Sequence, residues 1–407
     1  MSNSSDHKTM HIIYAILMIL SLNPYFIWHI DFRIMWLFYF CITLFLIFKY
    51  QGAYHKSSSI SYWVMFAVAF YSAKRGNAMA FFAPSLAVLP FFAFLFLDKK
   101  EQILVFNRFK KIFSYVLAIS LAAWVLLLIH IPLPSIPDFY GDPQNEASYY
   151  IVNNYFLVIQ NYDALVDESV RFQSIFLEPG YIGCLSVFLL YLDDFNLKKR
   201  DNKIFLATVL FSLSLAAWIL LAITLFVYMV KRRKMGTVVV VSVFLVGIYY
   251  GSLNYNGGNN IVKELIIDRL EYDEDSGKIA GYNRTTDYFD YLFDRFIVSS
   301  DAMLGDYDGF NKLIKNGSHL VGWKAYTMKF GLWGLCTYVI YLLFVLSKSR
   351  KRVADVSWFA VHLLFFIRGD TLTYNLSFLI VYLAGYVLLD EEYEKASFLK
   401  ISNNTKL

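Results

Sequence analysis

Charged residues are scarce in this chain of 407 residues. They make up 17% of the sequence, against 58% for hydrophobic residues, whereas an average soluble domain carries about 25% charged residues. This scarcity excludes an ordinary soluble domain, and no stretch of the chain has the composition of a separate one. The chain also lacks an internal repeat and a low-complexity tract.

Cysteine is nearly absent, and the three that occur lie far apart in apolar runs: Cys41, Cys184 and Cys336. Their number and spacing support neither a disulfide framework nor a metal site, and we expect small core residues. The acidic run at residues 271–277 predicts no calcium site, because Ser276 replaces the glycine and Tyr282 the closing glutamate of an EF-hand loop. The sequence therefore predicts no metal and no cofactor.

The excess of positive charge is small, with a net value of +5. The basic residues gather at the ends of apolar runs and do not form the stripe on one face that is typical of a nucleic-acid surface. Nucleic acid is therefore not predicted as a partner. The placement of the basic residues is instead typical of membrane topology.

Apolar runs of about 17 to 25 residues, the length that crosses the hydrocarbon core of a bilayer, recur along the whole chain. The first, at residues 11–28, lacks the small-residue cleavage site of a signal peptide and predicts an uncleaved helix. We therefore expect an all-α, polytopic integral membrane protein with about 12 transmembrane segments. Residues 1–407 form a single membrane-embedded domain in this interpretation, with the lipid bilayer as a partner.

Clusters of Lys and Arg mark the loops that face the cytoplasm. Four clusters stand out, at residues 98–111, 196–203, 231–234 and 347–352. When all four lie inside, spans near residues 112–131 and 179–192 enclose a first large outer loop, residues 132–178. A second large outer loop covers residues 254–330, and both termini are cytoplasmic.

The apolar run at residues 203–230 has a basic cluster at each end, so both ends face inside. One helix cannot achieve this, and we predict two short helices that break around Ser212-Leu213-Ser214. A broken helix at membrane depth is tolerated where it lines a cavity or packs against protein. The remaining spans are predicted near residues 236–253, 331–346, 356–367 and 372–389.

Several basic residues fall at the outer face next to apolar segments, where positive charge is disfavoured. They are Arg33, Lys74, Arg75, Arg171, Arg284, Arg295 and Arg368. A charge inside the bilayer costs about 2.5 to 3.5 kcal/mol on insertion scales. One interpretation is an outward-facing basic cavity for an anion, because the guanidinium fork donates two parallel hydrogen bonds to phosphate. The other is a set of interfacial anchors or partners of nearby carboxylates.

Glu178 and Pro179 stand at the predicted start of a helix. Proline restricts the residue before it to extended conformations and suits the first helical position. The Glu178 carboxylate is either a helix cap or a catalytic group that accepts a proton or orients a hydroxyl. Arg171, seven residues earlier, either pairs with Glu178 or binds a ligand.

The segment RFQSIFLEPGYIG, residues 171–183, resembles the arginine and Phe-x-Glu-Pro signature of bacterial O-antigen and capsular polysaccharide polymerases. The stretch SLSLAAW at residues 212–218 is similar to the serine-containing broken segment that follows the signature in that family. Asn283-Arg284 opens a long outer loop, and His319 lies shortly before a Gly-Leu-Trp-Gly helix start, as in the family's second periplasmic loop. The resemblance covers residues 171–346 in motif order, and no clear copy of the Arg171 segment occurs in the second loop.

The resemblance implies a multi-pass glycosyltransferase of the bacterial inner membrane that joins undecaprenyl-pyrophosphate-linked repeat units at the periplasmic face. The pyrophosphate lipid is then the leaving group, since no nucleotide sugar is available there. Fixed cations lower the barrier by stabilising charge that develops on phosphate oxygens, and the candidates are Arg75, Arg171, Arg284 and Arg368. A chain-length regulator protein is a further candidate partner.

The attacking hydroxyl needs a proton acceptor, and Glu178 and His319 are the candidates. Histidine has an unperturbed pKa of about 6.5 and can act as a base at neutral pH, although a single loop histidine is more often incidental. Tyrosines of the outer loops are candidate sugar contacts: Tyr149, Tyr150, Tyr155, Tyr282 and Tyr288.

Two other functions stay open on the sequence alone. An O-antigen ligase, which transfers lipid-linked glycan to lipid A core, shares the general architecture, but the Glu178-Pro179 pair favours the polymerase. A polysaccharide or lipid transporter (flippase) also has many helices and buried charges, but it often has repeated halves, which this chain lacks.

Overall fold

The computed structural model describes residues 7–54, 86, 89–141, 150–161, 171–233, 235–273, 278–279, 286–315, 322–347, 360, 362 and 375–385. These residues are mostly helical, which agrees with the all-α prediction. Two small antiparallel sheets accompany the helices.

The α-helices of the described part are α1 (His7–Ser21), α2 (Phe32–Lys49), α3 (Lys99–Leu128), α4 (Pro179–Leu192), α5 (Arg200–Phe211), α6 (Leu215–Lys231), α7 (Met235–Asn254), α8 (Asp287–Ile297), α9 (Tyr307–Lys315), α10 (Trp323–Ser347) and α11 (Leu376–Leu383). The strands are β1 (Ile136–Tyr140), β2 (Tyr150–Asn154), β3 (Ile159–Asn161), β4 (Tyr272–Asp273) and β5 (Lys278–Ile279).

The chain divides into two compact units. The first comprises Met1–Leu22, His29–Lys110 and Asp287–Leu407, and the second comprises Asn23–Trp28 and Lys111–Thr286. Each unit is considered by itself.

In the first unit, the end of α1 meets the start of α11 through polar contacts. The Asn375 side-chain oxygen accepts hydrogen bonds from the backbone N–H groups of Ser377 and Phe378 and so caps α11. The Asn375 amide also donates to the Ser21 carbonyl oxygen at 2.5 Å, and the Ser377 hydroxyl donates to that of Met18 at 2.6 Å. Asn375 therefore both caps α11 and links it to the end of α1.

An apolar cluster holds α8, α9 and α10 together in the same unit. Its buried members are Phe289, Phe293, Phe296, Phe310, Ala325 and Met328. α10 is interrupted at Gly331, which has a φ of 74°. A Cβ atom on Gly331 would lie 2.3 Å from the Met303 carbonyl oxygen, so glycine alone fits there. The span predicted to start at residue 331 thus begins at a break inside a longer helix.

α4 forms the centre of the second unit. Nearly all of its residues are buried, as expected of a helix that is hydrophobic on every side. It packs against α5 and α6, which are separated by residues 212–214. The predicted helix at residues 179–192 and the predicted break around Ser212-Leu213-Ser214 are both confirmed.

The predicted outer loop at residues 132–178 contains a sheet, called the outer-loop sheet below, that the sequence reasoning missed. Its strands lie in the order β1-β2-β3 and are antiparallel. The segment 24–28 contacts this part of the unit, because the Tyr25 hydroxyl donates to the Phe156 carbonyl oxygen and Trp28 packs edge-on against Tyr140. β4 and β5 form a second, two-stranded sheet.

The prediction that residues 98–111 form a loop was wrong. α3 runs from Lys99 to Leu128 without interruption, and its 30 residues extend about 45 Å at the rise of an α-helix. That length exceeds the hydrocarbon core of about 30 Å, so one helix holds both the basic cluster and the apolar run. The first predicted span is shorter than expected, because Asn23, with a φ of 58°, and Pro24 follow the end of α1.

Among the described residues, one helix, α3, is both long and apolar enough to cross a membrane. α1, α4 and α6 are apolar but shorter. A buried helix of a soluble protein has the same length and composition, so α3 alone does not establish a membrane location. Most of the span predicted at residues 356–367 lies outside the described residues, whereas the span predicted at residues 372–389 contains α11.

The three cysteines are not disulfide-bonded. Cys184 is buried in α4, as predicted for a small core residue, whereas Cys41 and Cys336 are exposed. The core prediction was therefore wrong for these two, because an apolar run does not say which of its faces packs inward.

Candidate functional site

The signature segment, defined as residues 171–178, lies directly against the break between α5 and α6. The Arg171 Nε donates a hydrogen bond of 3.2 Å to the Ser212 carbonyl oxygen. The Phe172 N–H donates to the Phe211 carbonyl oxygen at 2.9 Å. Two stretches distant in sequence are therefore joined side by side, through an arginine whose side chain is half-buried and which lies 41 residues before Ser212.

The opposite side of the signature segment is joined to the outer-loop sheet. The Ser174 carbonyl oxygen accepts a hydrogen bond of 2.9 Å from the N–H of Ile159 in β3. Gln173, which is buried, donates through its side-chain amide to Asn161 at 3.3 Å. The segment thus bridges the sheet and the helix break within one unit.

Ser174 adopts a left-handed backbone conformation, with a φ of 56°. Its buried hydroxyl donates to the Ser120 hydroxyl at 2.8 Å, and Ser120 donates to the Leu157 carbonyl oxygen at 2.6 Å. A non-glycine residue in this region is uncommon and persists where surrounding contacts hold it. The hydroxyl chain supplies such contacts and fixes the course of the segment toward α4.

Glu178 occupies the residue before α4, and Pro179 is the first helical residue. Glu178 has the extended backbone, with φ −127° and ψ 129°, that a following proline imposes. Its carboxylate makes no hydrogen bond to the N–H groups of the first turn of α4. The interpretation of Glu178 as a side-chain helix cap was therefore wrong. Among the described residues no ion pair joins Glu178 to Arg171, and the half-buried carboxylate is open to other roles.

The break between α5 and α6 is compact and strained. Leu213 has a left-handed backbone with a φ of 44°, a conformation that costs a non-glycine residue about 1 to 2 kcal/mol. The Ser212 hydroxyl donates to the Val209 carbonyl oxygen at 2.8 Å. Ser214 precedes α6 without a side-chain capping bond, so α4 and α6 both begin without a side-chain cap.

Gly183 allows α4 to approach this break closely. A Cβ atom on Gly183 would lie 2.7 Å from the Ala217 Cβ and 2.9 Å from the Ser212 Oγ. Real Cβ atoms do not come so near, so any side chain would push α4 away from α6. The start of α4 and the start of α6 are neighbours because residue 183 is glycine.

One indole group packs beside this contact, and a second lies in the helix that follows the break. The Trp124 ring packs against Phe172 and Phe211, with centroid distances of 5.8 and 5.0 Å, and Trp218 is in the first turn of α6. Within the part of the chain that the structure describes, the Nε1 atoms of Trp124 and Trp218 are buried and have no acceptor. The Trp124 ring thus packs on Phe172 and Phe211, which neighbour Arg171 and Ser212 in sequence.

Of the predicted site residues, Arg171 and Glu178 are described, and they belong to the same segment. Arg75, Arg284, His319 and Arg368 lie outside the described residues, as do two predicted sugar contacts, Tyr149 and Tyr282. Tyr155 lies in the turn after β2, where burial raises the pKa of its phenol, so the group remains a hydrogen-bond donor at neutral pH. Tyr288 is exposed on α8.

Sequence reasoning missed Gly183, Trp124 and the sheet. A glycine in the first turns after an Xaa-Pro helix start is a signal for close helix approach, and it was available in the sequence. The position of Trp124 carried no such signal, because aromatic residues occur throughout the apolar runs. Among the described residues, no group of three or more His, Cys, Asp or Glu side chains could hold a metal ion.

No protein-family model, no curated protein and no solved structure matches this chain.

Proposed function

We propose that this protein is a polysaccharide polymerase of the bacterial inner membrane, which joins repeat units carried on undecaprenyl pyrophosphate at the periplasmic face. The observation that carries the proposal is the contact between Arg171 and Ser212. It brings together the two stretches on which the resemblance to O-antigen and capsular polysaccharide polymerases rests. A merely incidental likeness gives no reason for these stretches to meet.

Helix lengths support a site that lies inside the outer boundary of the bilayer. α4 has 14 residues and α5 has 12, which correspond to about 21 and 18 Å. If the ends of α4 and α5 that adjoin the basic cluster at residues 196–203 lie at the cytoplasmic side, Glu178 and Ser212 lie about 9 and about 12 Å short of the far edge of a 30 Å hydrocarbon core. The two lengths give similar depths for the signature segment and for the break, which the Arg171–Ser212 hydrogen bond joins.

The chemistry around Arg171 supports an anionic, acceptor-rich ligand. An arginine at membrane depth costs about 2.5 to 3.5 kcal/mol on insertion scales, and an anion offsets that cost. The N–H groups of the first turn of each helix have no partner inside the helix, and a helix N-terminus attracts negative charge. Two such starts and Arg171 form a setting for pyrophosphate.

The reaction is a displacement at the anomeric carbon of the donor glycan. A hydroxyl oxygen of the acceptor repeat unit forms the new bond to that carbon while the bond to the pyrophosphate oxygen breaks. Undecaprenyl pyrophosphate leaves with the electron pair, and Arg171 stabilises the charge that develops on it. The hydroxyl proton passes to the Glu178 carboxylate, for which His319 is the alternative base.

The wider prediction follows the same proposal. About 12 transmembrane segments, two periplasmic loops and cytoplasmic termini place the outer-loop sheet and the start of α4 on the side where the lipid-linked substrate is exposed. Arg75, Arg284 and Arg368 are candidate second contacts to the substrate. A chain-length regulator is the proposed protein partner.

A deletion strain complemented with single variants tests the proposal. We expect the deletion to leave core carrying one repeat unit on a lipopolysaccharide gel, because polymerisation stops while ligation continues. Arg171→Lys keeps the charge but loses the bidentate fork, and Glu178→Gln loses the proton acceptor, so each should restore little polymer at normal membrane abundance.

The matched controls are Arg200→Lys and Glu264→Gln, which change exposed residues outside the site and should restore full-length polymer. A deletion strain with no attached O-antigen at all contradicts a polymerase and indicates a ligase. Full-length polymer from both Arg171→Lys and Glu178→Gln contradicts the catalytic role of the signature segment.

A further inference from the structure

We infer that the turn between β2 and β3, residues 155–158, enters the periplasmic leaflet of the membrane and contacts its lipid chains. This turn, which we call the tip, presents Phe156 and Leu157 to the lipid and so anchors the outer-loop sheet. The inference rests on the membrane location that is part of the proposed function, and not on the proposed reaction. It revises the sequence prediction, in which the whole loop at residues 132–178 lies outside the bilayer.

Large apolar side chains are exposed at this end of the sheet. Phe156 and Leu157 are 50% and 52% exposed. Ile136 is also exposed, and it pairs across the sheet with Asn154, two residues before Phe156, so it belongs to the same end. Single exposed apolar residues are ordinary on a protein surface, whereas a group of them marks contact with a partner or a membrane.

The backbone of Phe156 is left-handed, with a φ of 65°. Glycine is the usual residue in this conformation, and a bulky side chain there is an outlier. Such outliers persist where surrounding contacts hold them, and they occur preferentially at functional sites. Glycine forms such a turn without strain, so the strained phenylalanine indicates a role for its ring outside the turn.

The protein pairs every backbone polar group of the two exposed tip residues. The four hydrogen bonds join the Phe156 N–H to the Asn154 side-chain oxygen (2.8 Å), the Tyr25 hydroxyl to the Phe156 carbonyl oxygen (3.0 Å), the Leu157 N–H to the Tyr155 carbonyl oxygen (2.7 Å) and the Ser120 hydroxyl to the Leu157 carbonyl oxygen (2.6 Å). Irregular backbone is tolerated at membrane depth only where protein satisfies its polar groups. Phe156 and Leu157 meet that condition, so their side chains can face lipid without exposing unpaired N–H or C=O groups.

The contact with Ser120 gives the depth of the tip. Ser120 belongs to α3, the helix of the described part that is long and apolar enough to cross a membrane. It lies eight residues before Leu128, the end of α3, which corresponds to about 12 Å along the helix axis. If Leu128 marks the outer edge of a hydrocarbon core of about 30 Å, the tip lies in the outer half of that core.

The surroundings of the tip favour lipid chains as its occupant. Ile119, the residue before Ser120 in α3, is 53% exposed, and Val125, less than two turns further along the helix, is exposed as well. In a helix that crosses a membrane, exposed apolar side chains such as these face the lipid. The tip adjoins this surface through its hydrogen bond to Ser120, so the lipid chains that surround α3 also reach the tip.

Fluorescence quenching in liposomes of phosphatidylethanolamine and phosphatidylglycerol tests the inference. Leu157→Cys, Ile151→Cys and Ile119→Cys are each labelled with a fluorophore in full-length protein without native cysteines. Quenchers are a nitroxide on the lipid chains and iodide in the water. Ile151 is the matched control, because it is 45% exposed in β2 and lies five residues before Phe156, about 17 Å at the rise of a strand. Ile119 reports whether α3 lies in the bilayer.

The label at residue 157 should lose fluorescence with the chain nitroxide and not with iodide, and the label at residue 119 should behave in the same way. The label at residue 151 should lose fluorescence with iodide alone. Each labelled protein should unfold in detergent at the temperature of its cysteine-free parent, because the substituted side chains are exposed. Phe156→Cys reports on the same tip where Leu157→Cys unfolds early.

Other patterns of quenching overturn the inference in distinguishable ways. Iodide quenching at residue 157 with chain-nitroxide quenching at residue 119 rejects the tip while the membrane location stands. Iodide quenching at both residues rejects the membrane location itself, and the proposed function with it. Equal chain-nitroxide quenching at residues 151 and 157 means that the whole sheet lies in the lipid. If added undecaprenyl phosphate abolishes the chain-nitroxide quenching at residue 157, the tip binds a polyprenyl tail and does not anchor the sheet in the bilayer.

Discussion

Gly183 lies where α4 packs tightly against the break between α5 and α6. In a helix interior, alanine is normally more stable than glycine by about 0.5 to 1 kcal/mol. At Gly183 this order should reverse, because a Cβ atom would lie 2.7 Å from that of Ala217. The Ala217 Cβ is fixed to the backbone of α6 and cannot rotate aside, so the helices themselves must separate.

We expect Gly183→Ala to lower the free energy of unfolding by about 1 to 3 kcal/mol, the usual cost of overpacking. Thermal unfolding of purified protein in detergent measures the effect. Gly247→Ala in α7 is the control, since nothing lies within 4 Å of a Cβ atom at that glycine, and it should be neutral or stabilising. Equal behaviour of the two variants contradicts the close approach of α4 and α6.

At the residue scale, prediction from sequence succeeded where neighbouring residues alone determine the backbone conformation. Glu178 has the extended backbone that Pro179 dictates, and α4 starts where the proline permits. It failed where the partner is distant in sequence, because no local pattern says that Gly183 faces Ala217 or that Arg171 contacts Ser212. Those features depend on how the elements pack.

At the scale of the element, the break between α5 and α6 was predictable because it follows from the charges at the two ends of an apolar run. Basic clusters at both ends of an apolar run require that the chain turn back inside it. The structure adds the mechanism, which is a left-handed Leu213 between Ser212 and Ser214. Sequence could not identify leucine as the left-handed residue, since glycine is the usual choice there.

Glycine and alanine substitutions of Leu213 test this mechanism. Both remove the leucine side chain, so their difference isolates the backbone. We expect Leu213→Gly to be more stable than Leu213→Ala by about 1 kcal/mol, because a left-handed backbone costs alanine but not glycine. The stabilities are read from thermal unfolding in detergent.

The control pair for this prediction is Leu210→Gly and Leu210→Ala, in the last turn of α5. Leu210 has helical backbone, so glycine should be less stable than alanine there, by about 1 kcal/mol at most. A Leu213 pair with the same sign as the Leu210 pair contradicts a left-handed break.

Two elements show where pattern reasoning misled. The residues 98–111 were assigned to a loop because charged residues interrupt an apolar run. Lysine, arginine and glutamate nevertheless form helices readily, and α3 includes nearly all of this stretch. The strands β1, β2 and β3 were missed because they are short and their apolar alternation is weak. Short strands gain their stability from pairing and from packing on neighbours, which a single sequence does not display.

At the scale of the whole molecule, helix length and charge together constrain topology. α5 spans about 18 Å, which is too short to cross a hydrocarbon core of about 30 Å. α6, with 17 residues, spans about 25 Å. A pair of helices of this length between two basic clusters is expected to enter the bilayer and return to the side from which it came.

This expectation is tested by cysteine labelling in a variant that lacks Cys41, Cys184 and Cys336. Single cysteines at Arg200 and Lys234, on either side of the hairpin, should both react only after the inner membrane is permeabilised. Cysteines at Asn145 and Gly305, in the two outer loops, should react in cells whose inner membrane is intact. Arg108 and Lys351 should behave like the inner pair, and polymer on a gel confirms that each variant is folded.

If Arg200 and Lys234 report opposite sides, the run at residues 203–230 crosses the bilayer once and forms no hairpin. Every later assignment then inverts, the loop at residues 254–330 moves to the cytoplasm, and Arg284 and His319 can no longer belong to a periplasmic site.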